Sequence, residues 1–162
     1  MPFVVPFDGS RLSVAALVNA RVHEVGFDNL PPTVRERASR EEPPDITAVT
    51  VVPRRASYAR GKGWLDDGEP FDPETVVERL RERVAEIAPN ADFVHEYTDT
   101  TSAGAIGQHI RRHARRLDAT TVFIGSENAG RIVTPVMSVG SRVSNEQDYN
   151  VMVVRRELSY TP

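Results

Sequence analysis

The residues best suited to chemistry lie late in the chain. Gly125-Ser126-Glu127-Asn128-Ala129-Gly130 follows an apolar run, and nine residues separate Gly130 from Gly140-Ser141. A glycine-bearing loop after a buried strand lets backbone N–H groups approach an anion closely. A Gly-Ser step at a helix start adds unpaired amides and the positive end of the helix dipole. Such a pair of segments suits a phosphate; plain loop and capping chemistry would use the same residues. Near the other end stands Asp8-Gly9-Ser10, where Asp8 either meets a ligand or shares helix capping with Ser10. Arg54, Arg55, Arg60 and Lys62 form a cationic stretch that is either a lid over phosphates or a mobile loop. His109 and His113 have the i,i+4 spacing of a metal pair, but they flank Ile-Arg-Arg and lack a zinc peptidase's glutamate. The Arg111–Arg116 cluster reads as a solvated helix face.

The elements that must position these groups follow from the period of apolar residues. Phe3-Val4-Val5-Pro6-Phe7, Ile46–Val52, Phe93–Tyr97, Thr121–Ile124 and Val151–Val154 read as strands, with Phe93–Tyr97 near a sheet edge. Between them, Val14, Leu17, Val18, Val22 and Val25 mark a helix stopping at Gly26. Val76, Leu80, Val84 and Ile87 mark a second, opened by Asp72-Pro73-Glu74. Ile106, Ile110, Ala114 and Leu117 mark a third behind the hydroxyls of Thr100-Thr101-Ser102, with its arginines outward. Short helices are expected at Thr33–Arg40 and about Ser141–Glu146. Residues 54–71 show no period and read as a long loop. Strand and helix alternate, which implies an open, doubly wound, parallel five-stranded α/β sheet with helices on both faces. Ligands in such sheets sit beyond the carboxyl ends of the strands where strand order reverses, here around Asp8 and Gly125.

Composition narrows the classes. A chain of 162 residues, 40% hydrophobic and 27% charged, suits one globular domain spanning residues 1–162. The absence of cysteine excludes disulfides, thiolate metal sites and a cysteine nucleophile. A net charge of −3 is too balanced to advertise a nucleic-acid partner. No apolar run approaches the roughly 18 residues of a membrane span, and no signal peptide is visible, so a cytoplasmic location is expected. Walker-type phosphate loops, dinucleotide fingerprints and nucleophile elbows are missing too, so no dedicated enzyme is indicated.

Phe3–Leu17 with its Pro6-x-Asp8-x-Ser10 strand end, Val122–Gly130, and Val139-Gly140-Ser141 through Val151–Val154 resemble the universal stress protein family. That family ends with Gly-x2-Gly-x9-Gly-Ser/Thr and a last apolar strand. The resemblance implies the adenine nucleotide alpha-hydrolase-like strand order 3-2-1-4-5. It implies an ATP-binding, non-enzymatic regulatory protein of the stress response, with ATP accompanied or not by magnesium. It also implies a homodimer paired through the last strand. Carried over by position, Pro6, Phe7 and Asp8 belong to the nucleoside end, and Val51 presents backbone groups to the adenine. Gly125, Ser126, Asn128, Gly130, Arg131, Gly140 and Ser141 belong to the phosphates, with Arg131 equally readable as a solvated residue. Gly125 lies five positions before Gly130, so the first half of the motif is two residues longer than the family's. Asn128 tolerates left-handed backbone and is a partial stand-in for glycine there. The second reading is therefore a nucleotide-free dimeric interaction module with a structural glycine loop.

Overall fold

A computed structural model describes residues 1–37, 42–128 and 149–157. Their strands are β1 (Pro2–Pro6), β2 (Asp45–Pro53), β3 (Asp92–Thr98), β4 (Thr121–Gly125) and β5 (Asn150–Val154). The helices are α1 (Arg11–Asp28), α2 (Pro32–Arg37), α3 (Ala56–Gly61), α4 (Pro73–Ile87) and α5 (Ala103–Arg116). All neighbouring strands are parallel and the sheet order is β3-β2-β1-β4-β5, the expected 3-2-1-4-5 arrangement. Order reverses between β1 and β4, so the two chain reversals leave a crevice at their carboxyl ends. No helix among the described residues is long and apolar enough to cross a membrane.

Side-chain alternation divides the core into two layers. Phe3, Val5 and Phe7 pack with Leu17 of α1 and with Val76, Leu80 and Val84 of α4 on one face. Val4, Val49, Val51, Val122 and Ile124 pack with Ile106, Ile110 and Ala114 of α5 on the other. Strands covered on both faces need apolar residues at every position, which is why they appear as continuous runs. The α4 start is capped as expected: the Asp72 carboxylate accepts from the Glu74 amide at 3.2 Å.

Three local expectations change. The valines of α1 are not its buried stripe: Val22 and Val25 are exposed, whereas Ser13, Ala15, Ala16, Leu17 and Ala20 are buried. Small side chains let this helix approach β4 closely, and the bulkier valines are displaced toward solvent. Second, α1 runs past Gly26 to Asp28. Third, residues 54–71 are not all loop. They contain α3; the Arg54 guanidinium stands over the Tyr97 ring, and Lys62 and Trp64 bond to Asp8. The helix expected at 33–40 is the fully unburied α2, whereas the one expected near 141–146 lies outside the described residues.

Ser10 is the α1 N-cap, and its hydroxyl accepts from the Ser13 amide at 3.3 Å. The Ser13 hydroxyl, itself buried, donates to the Ser10 carbonyl at 3.0 Å. Ser10→Ala removes the acceptor for one helix-terminal amide. An equilibrium unfolding curve in urea is expected to show a loss of about 1 kcal/mol with the slope unchanged.

Candidate functional site

The carboxyl end of β1 is built to project Asp8. The Phe7 amide donates to the Val49 carbonyl at 2.9 Å, and the Thr50 hydroxyl donates to the Phe7 carbonyl at 2.7 Å. These bonds pin Phe7, the first residue past β1, on β2. The chain then turns through Gly9, whose φ of 76° falls in the left-handed region that favours glycine. Pairing of β1 with β2 ends at Val49, so Val51 lies beyond the last β1 partner and faces an opening.

That opening is a narrow cleft whose enclosed space is about 30 Å³, room for roughly one water molecule. Pro6, Phe7 and Asp8 line it from β1, Val49 and Val51 from β2, and Tyr58 from α3. Ile106 and Ile110 of α5 and the side chain of Asn128 complete the wall. The apolar walls suit a flat ring, and the polar groups lie together at the Asp8 end. This is the usual division of a small-molecule site, but the enclosed space is far below the several hundred cubic ångströms usual for one, so the walls must part to admit a ring.

Asp8 is held by contacts on several sides. Its Oδ1 accepts from the Ser10 amide at 3.0 Å. Its Oδ2 accepts from Lys62 Nζ at 2.8 Å and from Asn128 Nδ2 at 3.4 Å. The indole N–H of Trp64 donates to the Asp8 carbonyl at 2.7 Å. Burial alone would raise the Asp8 pKa. The hydrogen bonds from Lys62 and Ser10 outweigh it and hold the carboxyl far below its ordinary 3.8. Asp8 is therefore a fixed, ionised acceptor on the cleft wall. Of the two roles open to it, it supports the α1 start by bonding the amide of the capping Ser10, and it also faces the cleft.

The structure thus brings together Pro6, Phe7, Asp8, Val51 and Asn128. Gly125 and Ser126 do not line this cleft. Gly125 sits buried at the end of β4, where a Cβ would lie 2.7 Å from Leu12 Cβ and 3.0 Å from the Leu12 carbonyl carbon. Its visible role is close packing of α1. Ser126 begins the helical stretch 126–128 and is partly buried. Gly130, Arg131, Gly140 and Ser141 lie outside the described residues.

Trp64 and Tyr58 are contributors that sequence reasoning misses, and Lys62, expected in a phosphate lid or a mobile loop, is instead bonded to Asp8. Lys62 and Trp64 are 54 and 56 positions from Asp8, in a stretch without apolar period. The only signal available was a cation and an aromatic placed after β2, on the ligand end of the sheet. The two α5 histidines also find a distant partner. His109 Nδ1 and His113 Nε2 approach the Glu96 carboxylate at 3.0 and 2.9 Å, and Arg112 Nη2 joins them at 2.5 Å. Arg112 is therefore turned to β3 and not simply outward. Burial raises the Glu96 pKa, but His113 and Arg112 prevail and lower it.

No protein-family model matches the chain, and no curated protein does. The chain is similar to two solved structures of universal stress proteins. One, in complex with cAMP, is 13% identical, with a TM-score of 0.45 over 96% of this chain and 97% of that one. The other, from Archaeoglobus fulgidus, is 14% identical, with a TM-score of 0.47 over 96% and 98%.

Proposed function

We propose that this chain binds an adenine nucleotide in the Asp8 cleft and acts as a universal stress protein-like regulatory protein rather than as an enzyme. The observation that carries the reading is the convergence of an ionised Asp8, the Asn128 amide and the apolar Val49–Val51 and Ile106–Ile110 walls at the strand-order reversal. The adenine would lie between these walls, near the Val51 backbone. A ribose hydroxyl would donate to Asp8. The phosphates, with or without magnesium, would run toward Ser126, Gly130, Arg131, Gly140 and Ser141, as the sequence resemblance implies. No described residue in the cleft is placed as a free general base, because the Asp8 carboxylate is already strongly ion-paired. Binding and release, coupled to dimer-mediated signalling in the stress response, are the work assigned to it.

The dimer would form through β5. Among the described residues this strand is one edge of the sheet, and its Val151, Met152 and Val153 are only partly buried. An edge strand of this kind offers unpaired backbone groups to a second copy.

The chain's one tryptophan is Trp64, bonded to Asp8, so its emission reports on the cleft directly. Titration with ATP, ADP, AMP, cAMP and adenosine is expected to give a saturable emission change, confirmed by calorimetry, with dissociation constants below about 1 mM. Heatless, changeless titrations to millimolar ligand would overturn nucleotide binding. A dimer that nevertheless sediments as such would leave the nucleotide-free interaction module standing.

A further inference from the structure

We infer that Lys62 determines the charge of the ligand this cleft accepts: by neutralising Asp8 it admits phosphorylated nucleosides, and without it the cleft prefers the uncharged nucleoside. The inference rests on nucleotide binding at Asp8 and adds a residue that sorts the ligands.

The strap that carries Lys62 is anchored on both sides. Lys62 follows the last turn of α3, where its amide donates to the Tyr58 carbonyl at 3.0 Å. Gly63 then takes a left-handed φ of 71°, which turns Trp64 back onto Asp8. Beyond it, Arg79 Nη1 donates to the Trp64 carbonyl at 3.1 Å while gripping both oxygens of Glu69 at 2.8 and 2.7 Å. The ammonium also stands 5.8 Å from the ring of Tyr58, which lines the cleft. Lys62 itself is not part of that lining. It lines a second pocket instead, together with Gly9, Gly63, Trp64, Arg79 and Leu80.

This placement fixes the chemistry. A partly buried, ionised carboxylate on a ligand wall repels a polyanion through a medium less screening than water. Asn128 and the Ser10 amide are neutral, so Lys62 supplies the balancing charge to Asp8 among its described hydrogen-bonding partners. Because Lys62 is not among the residues lining the cleft, it cancels the charge without occupying ligand space. A donor on the ligand still finds acceptor capacity at Oδ1, which among the described residues receives the Ser10 amide alone. For an uncharged nucleoside the neutralisation matters little; for a triphosphate it decides entry.

The test compares ATP with adenosine on wild type, Lys62→Met and Lys62→Arg by calorimetry at pH 8, where the carboxylate stays ionised. Lys62→Met is expected to weaken ATP roughly tenfold or more and leave adenosine within about twofold. Lys62→Arg keeps the charge and is expected to keep the wild-type ratio of the two affinities. Equal losses for both ligands in Lys62→Met, or an altered ratio in Lys62→Arg, would overturn the inference and assign Lys62 a purely structural role. Wild type binding neither ligand would instead overturn nucleotide binding itself, and this inference with it. Should Lys62→Met not fold, Lys62→Gln is measured in its place with the same expectations.

Discussion

Replacing Gly125 with alanine is expected to lower stability by about 3 kcal/mol, the upper end of the cost of overpacking a core. The added methyl would sit 2.7 Å from Leu12 Cβ and 3.0 Å from the Leu12 carbonyl carbon. Neither atom belongs to a flexible side-chain tip, so relief requires the first turn of α1 to move as a unit. That turn starts at the Ser10 cap and is tied to Asp8 through the Ser10 amide. Strain at β4 therefore reaches the cleft through the backbone. Chemical denaturation measures the stability loss, and nucleotide affinity at a temperature where the variant is folded measures the rest. A variant as stable as wild type would show that α1 retreats freely from β4. Gly125 would then need another explanation, such as a backbone approach to ligand.

This glycine illustrates what the sequence carried and what it hid. The order of elements was legible because parallel strands buried on both faces leave apolar runs, and the helices between them keep a 3.6-residue period. Pro6-x-Asp8-x-Ser10 was legible because a tight turn into a capped helix uses a small set of residue types. The buried face of α1 was not. Close approach to the sheet selects Ser13, Ala16 and Ala20, and hydropathy ranks these below the exposed Val22 and Val25. In the sequence Gly125 resembles a phosphate-loop glycine, because a glycine after a strand looks the same whether a ligand or a neighbouring backbone comes close. Its neighbour in space, Leu12, is more than a hundred positions away in the chain.

Partners brought together by topology alone were likewise out of reach. Nothing periodic connects Lys62 or Trp64 to Asp8; the contact exists because β1 and β2 are adjacent and end at the same side of the sheet. The His109 and His113 pair has the same origin. Spacing shows that both rings share a helix face, but only the pairing of Glu96 with Val51 on the neighbouring strand puts a carboxylate beneath them. The two clusters lie on either side of Val51: Asp8 beyond the β1 end and Glu96 on β3. One apolar strand position thus stands between two ionised carboxylates, each balanced by cations from a crossover segment. That arrangement keeps charge beside an apolar slot without leaving it unpaired.

Removing the Asp8 carboxylate is expected to be the most damaging change to function and to give stability a distinct pH signature. Asp8→Ala strips Lys62 Nζ, the Ser10 amide and Asn128 Nδ2 of an acceptor at once. Because the Lys62 and Asp8 side chains keep 24% and 18% of their exposure, water replaces part of what is lost. The expected cost at pH 7 is about 2–3 kcal/mol, below that of breaking a fully buried pair. Nucleotide affinity is expected to fall about tenfold or more, since the ligand loses its fixed acceptor while the uncompensated Lys62, which attracts phosphates, offsets part of that loss. The sign of the pH dependence follows from the lowered pKa. A carboxyl whose folded value lies below its ordinary 3.8 binds fewer protons folded than unfolded at acid pH. Its contribution is complete above that ordinary value and is lost as pH falls from there toward the folded one. Stability differences between wild type and Asp8→Ala, measured by urea unfolding from pH 7 to pH 2, should therefore hold level and then shrink below about pH 4. Glu96, also lowered, titrates in the same direction. Repeating the pair in a Glu96→Gln background isolates the Asp8 contribution. A difference that stays constant to pH 2 would mean that Asp8 is not preferentially ionised in the fold, and the fixed acceptor on which ligand binding depends would be absent.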